Sequence, residues 1–459
     1  MIVSSTYKLS HYLVFTDPVN DKNDRIVYST RSCKSLLISP LCYDKLTEGN
    51  FNEIPALLVQ KLLDKNVLVP IVDDELDIIV RDNKQAIEGE PHTLYEVIQP
   101  SANCQLGCYY CGQTHTKKLL GPSMAEKIID RIKTKLITNS YKNLDVGWFG
   151  GEPLLGLASI RSISAELLSF CNTNNIRYAA KVVTNGMSLK ENVFRELVKV
   201  WDVKQIEITL DGVDDFHDAH RYTKKGTGSF TIIFQHLIDA VKIKEQENLD
   251  CKISVRCNVD RHNVEGVSAL IRHLAEHRLQ GKIDFYTMNI YSWAGNNAHN
   301  QSLTKEEFAS REIQWKKEMI HHGFAYGFDL PKRKKITCMV VSKQSEMYDA
   351  NGNVFNCSET SYAKLYDESA YHLGNLESGV PLKTQRHLGD WNDRVQNDQS
   401  LPCNTCKMLP VCGGSCPKSW EEGNPACPSN KFNLKDKLTL NYKLMLMLRK
   451  NQALPDVVK

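Results

Sequence analysis

The 459-residue chain lacks any run of eighteen consecutive apolar residues, about the length a helix needs to cross a hydrocarbon core. It also lacks an excess of one charge. The 57 Lys and Arg against 54 Asp and Glu leave a net charge of +3, which argues against a nucleic-acid stripe or a polybasic membrane anchor. The opening Met1-Ile2-Val3-Ser4-Ser5-Thr6-Tyr7-Lys8 lacks the basic and then apolar segments of an export signal. These absences lead to the expectation of a cytoplasmic protein with no membrane and no nucleic-acid partner. In a long chain of that kind, clustered cysteines point to metal rather than to disulfides.

Cysteine is what the chain has in quantity. Ten of its fifteen fall in two clusters, Cys104 to Cys111 and Cys338 to Cys427, while Cys33, Cys42, Cys171, Cys251 and Cys257 read as core or surface thiols. In the first cluster, Asn103-Cys104-Gln105-Leu106-Gly107-Cys108-Tyr109-Tyr110-Cys111-Gly112 sets three thiols on one loop with gaps of three and two residues. A closed zinc site takes four ligands, whereas an iron–sulfur cube held by three thiolates keeps one iron open. A degraded zinc knuckle or three unrelated core cysteines are the alternatives.

At 42% hydrophobic and 24% charged residues the composition is that of a globular enzyme, and the length divides into two or three domains. Residues 1–90 hold short β-rich runs, then helical spacing at Ile54, Leu57, Leu58, Leu62 and Leu63, then Val67-Leu68-Val69. Strands with small helices ending in a strand fit a winged-helix-like α+β module; a plain shielding cap is the alternative. Over residues 91–325 strand and helix patterns alternate as βα units do. Strands are expected at 95–98, 144–149, 178–183, 206–210, 252–256 and 284–290. Ser123 with Glu126, and Thr304 with Glu307, carry the spacing of helix capping boxes. Six such units make an α/β fold, a partial (β/α)6 barrel with an open side, and the polar segments follow strands at the rim where barrels place their sites. Residues 326–459 form the cysteine-rich remainder. The basic run Lys332-Arg333-Lys334-Lys335 reads as a solvated segment, with contact to an acidic peptide or redox partner as the minor reading. The leucines of the last helix, among them Leu438 and Leu446, serve either core packing or a dimer contact.

Gly150-Gly151-Glu152-Pro153 follows the second barrel strand; two glycines let the backbone approach a ligand, and Glu152 can receive an ammonium. Thr209-Leu210-Asp211-Gly212 follows the fourth strand, with Arg221 downstream and Arg256 on the fifth. His217, Asp218 and His220 could be a metal triad but read better as loop residues. The second cysteine cluster runs Cys338, thirteen residues, Gly352, four residues, Cys357, then Cys403-x2-Cys406-x5-Cys412-x3-Cys416, and Cys427 after a gap. Paired zinc ribbons are the competing reading of the Cys-x2-Cys portion.

The first loop, with the aromatic Tyr110 just before its third cysteine, resembles the signature of the radical S-adenosylmethionine (SAM) enzymes. The resemblance implies that Cys104, Cys108 and Cys111 hold a 4Fe-4S cluster whose open iron chelates SAM, and that a 5′-deoxyadenosyl radical abstracts hydrogen from a substrate. It also implies SAM contacts at Tyr110, Gly150, Gly151, Glu152, Thr209, Arg221 and Arg256. The second cluster resembles the SPASM domain of peptide-modifying members, which implies two auxiliary 4Fe-4S clusters. Cys403, Cys406, Cys412 and Cys427 would hold one; Cys338, Cys357 and Cys416 would hold the other without the usual eighth cysteine, leaving an open iron for substrate to ligate or for a non-cysteine residue to fill. The N-terminal module resembles the leader-peptide recognition element of such enzymes.

The implied function is hydrogen abstraction from a ribosomally made precursor peptide bearing a leader, followed by a thioether or carbon–carbon bond. A flavodoxin- or ferredoxin-like reductant would supply electrons. Anaerobic sulfatase maturases share the architecture, but carry an aspartate base where this chain has Ser358. A small-molecule radical SAM dehydrogenase and a non-catalytic, zinc-stabilised peptide-binding protein are the remaining alternatives.

Overall fold

The structure is a computed structural model and describes residues 6–89, 92–324 and 330–450. The N-terminal part contains strands β1 (Tyr7–Leu9), β2 (Leu13–Phe15), β3 (Arg25–Ser29), β4 (Lys34–Ile38) and β5 (Leu68–Pro70). The outer two pair with each other and β2-β3-β4 form a second sheet, all antiparallel. Between β4 and β5, Ser39 caps the helix Pro40–Glu48 by accepting from the Cys42 amide, Pro40 occupies its first turn, and Gly49 ends it at φ 80°. Val27, Ile38, Leu46, Ile54 and Leu62 fill the small core.

Six strands then run parallel and in chain order: β6 (Thr93–Ile98), β7 (Asn143–Trp148), β8 (Arg177–Thr184), β9 (Val203–Thr209), β10 (Lys252–Val259) and β11 (Asp284–Asn289). Side chains alternate in and out along each. On β8, Tyr178, Ala180 and Val182 are buried under the helices, while Lys181 and Val183 on the other face are only partly covered. The helices Pro122–Thr138 and Leu157–Thr173 lay Ile128, Ile132, Ile160, Ile163 and Leu167 on that outer face. Pro153–Thr173 is long and apolar enough to cross a membrane by composition alone, but its apolar side belongs to this core.

Thr304 and Glu307 exchange both capping-box bonds at the start of the helix Lys305–His321. The box expected at Ser123 does not form. Pro122 already occupies the first turn and Gly121 the cap, so Ser123 lies inside the helix.

The cysteine-rich remainder is not separate from the barrel sheet. Strands β12 (Met347–Tyr348), β13 (Asn353–Phe355) and β14 (His372–Asn375) extend it, with β12 parallel to β6 at Met347↔Val97 and Tyr348↔Ile98. Buried Lys135 clamps this seam, pairing with Glu96 of β6 and reaching Glu346, next to β12, at 3.0 Å. Arg131 adds a two-pronged contact to Glu346 at 2.6 Å on each arm.

The N-terminal module packs on this C-terminal lobe. Tyr12 and Ile79 meet Trp391 and Leu401, and Ile26 and Tyr28 meet Met408, Val411, Leu434 and Leu438. Arg333, inside the basic run, is turned inward to Pro410 O at 2.7 Å and Asn83 Oδ1 at 2.8 Å, so it joins the two parts. The last helix, Asn430–Lys450, therefore serves the core with its first half, while Leu446 and Met447 are exposed.

Candidate functional site

The cysteine loop leaves the C-terminal end of β6 and is held from both sides. Glu152 N donates to Asn103 O at 2.7 Å, Gly107 N to Tyr222 O at 2.9 Å, and Asn296 Nδ2 to Tyr110 O at 2.7 Å. Gly150 and Gly151 both have positive φ, 78° and 51°. A Cβ on Gly151 would meet Asn103 O at 2.6 Å and Ser101 O at 2.7 Å, so the bare glycine is what allows the turn after β7 to press against the loop. Burial pushes all three thiols upward, Cys108 to about 12. The Arg221 guanidinium acts on each in the opposite direction. Asn185 Nδ2 reaches Cys104 Sγ at 3.5 Å.

Behind the loop lies a polar network that gathers segments from the ends of three strands, β6, β9 and β10. Tyr110 Oη donates to Asp211 Oδ2 at 2.6 Å and accepts from Arg221 Nη1 at 2.6 Å and from Asn258 Nδ2 at 3.1 Å. Asn258 N donates to Asp211 Oδ1 at 2.8 Å, and Asn263 Nδ2 bonds the carbonyls of Asp211 and Asn258 at 2.6 and 2.7 Å. Arg221 Nε is buried and, among the described residues, without a partner, which leaves a cationic donor beside the three thiols. Burial favours its neutral form, but Cys108, Tyr110 and Asp211 outweigh that and hold it charged.

Glu152 differs from the sequence expectation. Fully buried, its carboxylate accepts from Leu154 N at 3.0 Å, Thr184 Oγ1 at 2.7 Å and Asn185 N at 2.8 Å. It therefore ties the end of β7 to the end of β8 rather than presenting a free acceptor for an ammonium. Thr209 ends β9, nearly buried and opposite Arg256 in register. Arg256 meets Arg221 only through Asn258 and the Tyr110 hydroxyl. Its Nε donates to Asn258 Oδ1 at 2.7 Å, and it sits in the barrel interior near Tyr286 and Glu207, the latter paired with Lys181 at 2.8 Å.

His217, Asp218 and His220 do not converge. His217 accepts from Asp211 N at 3.2 Å, Asp218 Oδ1 accepts from Ser229 N and Phe230 N, and His220 lies 3.4 Å from Asp260.

The seven C-terminal cysteines fall into two groups. Cys403, Cys406, Cys412 and Cys427 line one small cavity with Trp420 and Lys431; Lys431 Nζ reaches Cys427 Sγ at 3.4 Å. Cys338, Cys357 and Cys416 lie within electrostatic range of one another, with Glu359 close to Cys357 and Cys416. Among the described residues, no three His, Cys, Asp or Glu side chains are drawn together as they would be on a single metal ion. Sequence reasoning missed Asn185, Asn263 and Asn296 as parts of the site. Their only signal is an amide side chain in loops just after strands.

Residues 98–245 match the family model described as the radical SAM superfamily. The serine-type anaerobic sulfatase-maturating enzyme of Bacteroides thetaiotaomicron is 22% identical over 364 residues, covering 71% of this chain and 83% of that protein. Among solved structures, native anSMEcpe with bound AdoMet and Cp18Cys peptide superposes with a TM-score of 0.56 at 16% identity, covering 79% of this chain and 100% of that one. SuiB of Streptococcus suis bound to S-adenosylmethionine superposes at 0.50 and 14% identity over 92% of this chain and 98% of its own. The chain thus carries a radical SAM domain over residues 98–245 and is an enzyme of oxidative radical chemistry, and the cofactors of that domain family are a 4Fe-4S cluster and SAM.

Proposed function

We propose that this enzyme abstracts hydrogen from a ribosomally made peptide in the cytoplasm and leaves it with a new bond, a thioether or carbon–carbon crosslink. What carries the reading is the placement of a three-cysteine loop, a buried guanidinium with a free Nε, and two further cysteine groups around one open barrel. The residues suit the cofactors by their chemistry: three soft donors without a fourth for a cluster, and a charged planar donor for the carboxylate of SAM. When bound, the reduced cluster and SAM supply the 5′-deoxyadenosyl radical.

The chain's own residues hold and orient. Cys104, Cys108 and Cys111 ligate the cluster. Arg221 Nε meets the carboxylate of SAM, held in place by Tyr110 and Asp211. With Glu152 engaged elsewhere, the Gly150 and Gly151 carbonyls would take the ammonium, and Thr209 at the end of β9 would add a hydroxyl contact to SAM. Crosslinking is a net two-electron oxidation of the peptide, so a second electron must leave. Cys403, Cys406, Cys412 and Cys427 would hold one auxiliary cluster, and Cys338, Cys357 and Cys416 another, and such clusters would supply an acceptor for that electron on its way to a flavodoxin- or ferredoxin-like carrier. The sheet β2-β3-β4 takes the leader at the outer edge of β4, where Leu37 is 43% exposed.

The test is a peptide deuterated at its modified position, incubated anaerobically with SAM and reductant. Deuterium in the 5′-deoxyadenosine together with an intramolecular bond in the peptide supports the reading; SAM cleavage with no peptide dependence overturns it. A second reading, oxidation of one residue without a crosslink, is favoured by the name of the Bacteroides relative and the 83% of its length that is covered. A product short of two hydrogens with no internal bond would decide for it.

A further inference from the structure

A cavity of about 1390 Å3 opens between β11, the helix Lys305–His321 and the segment around Cys416 and Cys427. Small-molecule pockets run to about 300–1000 Å3, so the space suits something larger. Its floor is a strand edge. Among the described residues β11 ends the sheet and pairs only with β10, in unbroken register from Ser254↔Asp284 to Val259↔Asn289.

Ile290 N donates to Val259 O, and main-chain groups alternate sides along a strand. The N–H and C=O of Tyr286 and Met288 therefore face β10, and those of Phe285, Thr287 and Asn289 face the cavity. Among the described residues, none of these six outward groups is bonded. A bare, regular edge is one that proteins usually blunt with proline, a bulge or a covering element. This one is kept straight inside a walled cleft.

We infer that the β11 edge is the docking strand for the peptide substrate, which adds to it in extended form and runs toward Tyr291 and Cys416. Donor–acceptor pairs repeating every second residue, about 6.8 Å apart, match the main chain of an extended polypeptide and nothing smaller. The cleft is lined by the candidate cluster cysteines Cys416 and Cys427 and by the half-exposed Tyr291. Main-chain pairing gives affinity for many sequences, while alternate side chains fall against walls such as Phe308 and Trp315. The inference rests on the peptide reading above and names where the peptide lies.

The test uses the reconstituted full chain and a displayed library of random twelve-residue peptides. Enriched peptides are expected to slow amide deuterium uptake across residues 285–289. Thr287→Pro removes one outward N–H without touching the β10 ladder, a substitution that edge strands tolerate. It is expected to weaken binding about tenfold, the value of one hydrogen bond, whereas Thr287→Ala, which keeps the N–H, binds as wild type does. No enrichment, protection at β4 instead of β11, equal binding to Thr287→Pro, or equal loss in Thr287→Ala would each overturn the inference. Binding needs no turnover, so it reports on the docking strand alone, while the maturase reading falls separately if SAM cleavage shows no peptide dependence.

Discussion

Arg221 donates from Nη1 to the phenol oxygen of Tyr110 at 2.6 Å, and that phenol donates in turn to Asp211 at 2.6 Å. A residue of the cysteine loop thus holds the buried cation that faces the thiols, so the electrostatics of the site and the fold of the loop depend on one hydroxyl. Tyr110→Phe leaves Asp211 and Arg221 short of a partner where water does not reach, a cost of about 1–3 kcal/mol. Urea unfolding should show that loss. Tyr109→Phe should be nearly silent by comparison, since Tyr109 is 36% exposed and makes edge contacts with His220 and His262.

Arg221 offers its free Nε from a planar fork that lysine cannot copy. Arg221→Lys should therefore weaken SAM binding by about 10- to 100-fold, the range of a hydrogen bond to a charged group. Iron content should stay at the wild-type level. Equilibrium dialysis with labelled SAM, beside an iron assay on the same sample, separates the two effects. Loss of iron together with SAM affinity would make Arg221 a fold residue rather than a SAM contact.

Lys135 lies between two carboxylates, Glu96 and Glu346, and buried pairs that lose one partner are costly. Lys135→Met should destabilise the chain by about 3–5 kcal/mol, loosening β12 from β6 first, and hydrogen exchange at Met347 and Tyr348 should report it.

The same seam sets an acid limit. Burial alone would raise the Glu346 carboxyl, but Lys135 and Arg131 outweigh it and hold it down at about 2. A folded value below the unfolded one means stability that is complete above the ordinary carboxylate range, about 4.3, and lost as pH falls toward 2. Glu96 goes the other way, because burial outweighs Lys135 and raises it to about 7. Its contribution is present below about 4.3 and fades as pH rises through 7. Glu346→Gln should flatten the acid limb of a stability–pH curve, and Glu96→Gln the decline between about pH 5 and 7.

The barrel strands were readable because alternation and flanking polar segments mark them: all six expected runs overlap β6 to β11, with ends off by up to three residues at the start of β9 and the end of β10. The cysteine groups were readable because their spacing is unusual. The pairing of β12 with β6 was not, since two residues carry no periodicity and their partners lie 250 positions away. Nor was the inward turn of Glu152, because a glutamate after two glycines looks the same whether it faces a ligand or the amide of Asn185. The packing of the N-terminal module on the C-terminal lobe was also hidden. It rests on single residues such as Tyr28 and Arg333, whose partners come from distant segments, and cutting off residues 1–90 would uncover those surfaces. Leu37→Asp on the exposed β4 edge is therefore the cleaner test of leader binding, expected to raise KM for a leader-bearing peptide and leave its unfolding curve unchanged.

The most direct measurement is anaerobic reconstitution, counting iron, sulfide and zinc per chain, with SAM cleavage assayed on the same samples. The wild type should hold about twelve irons and the Cys104→Ala, Cys108→Ala, Cys111→Ala variant about eight, as three cubic clusters and two require, and only the wild type should cleave SAM. Zinc in place of iron, or equal SAM cleavage by both proteins, would contradict the account.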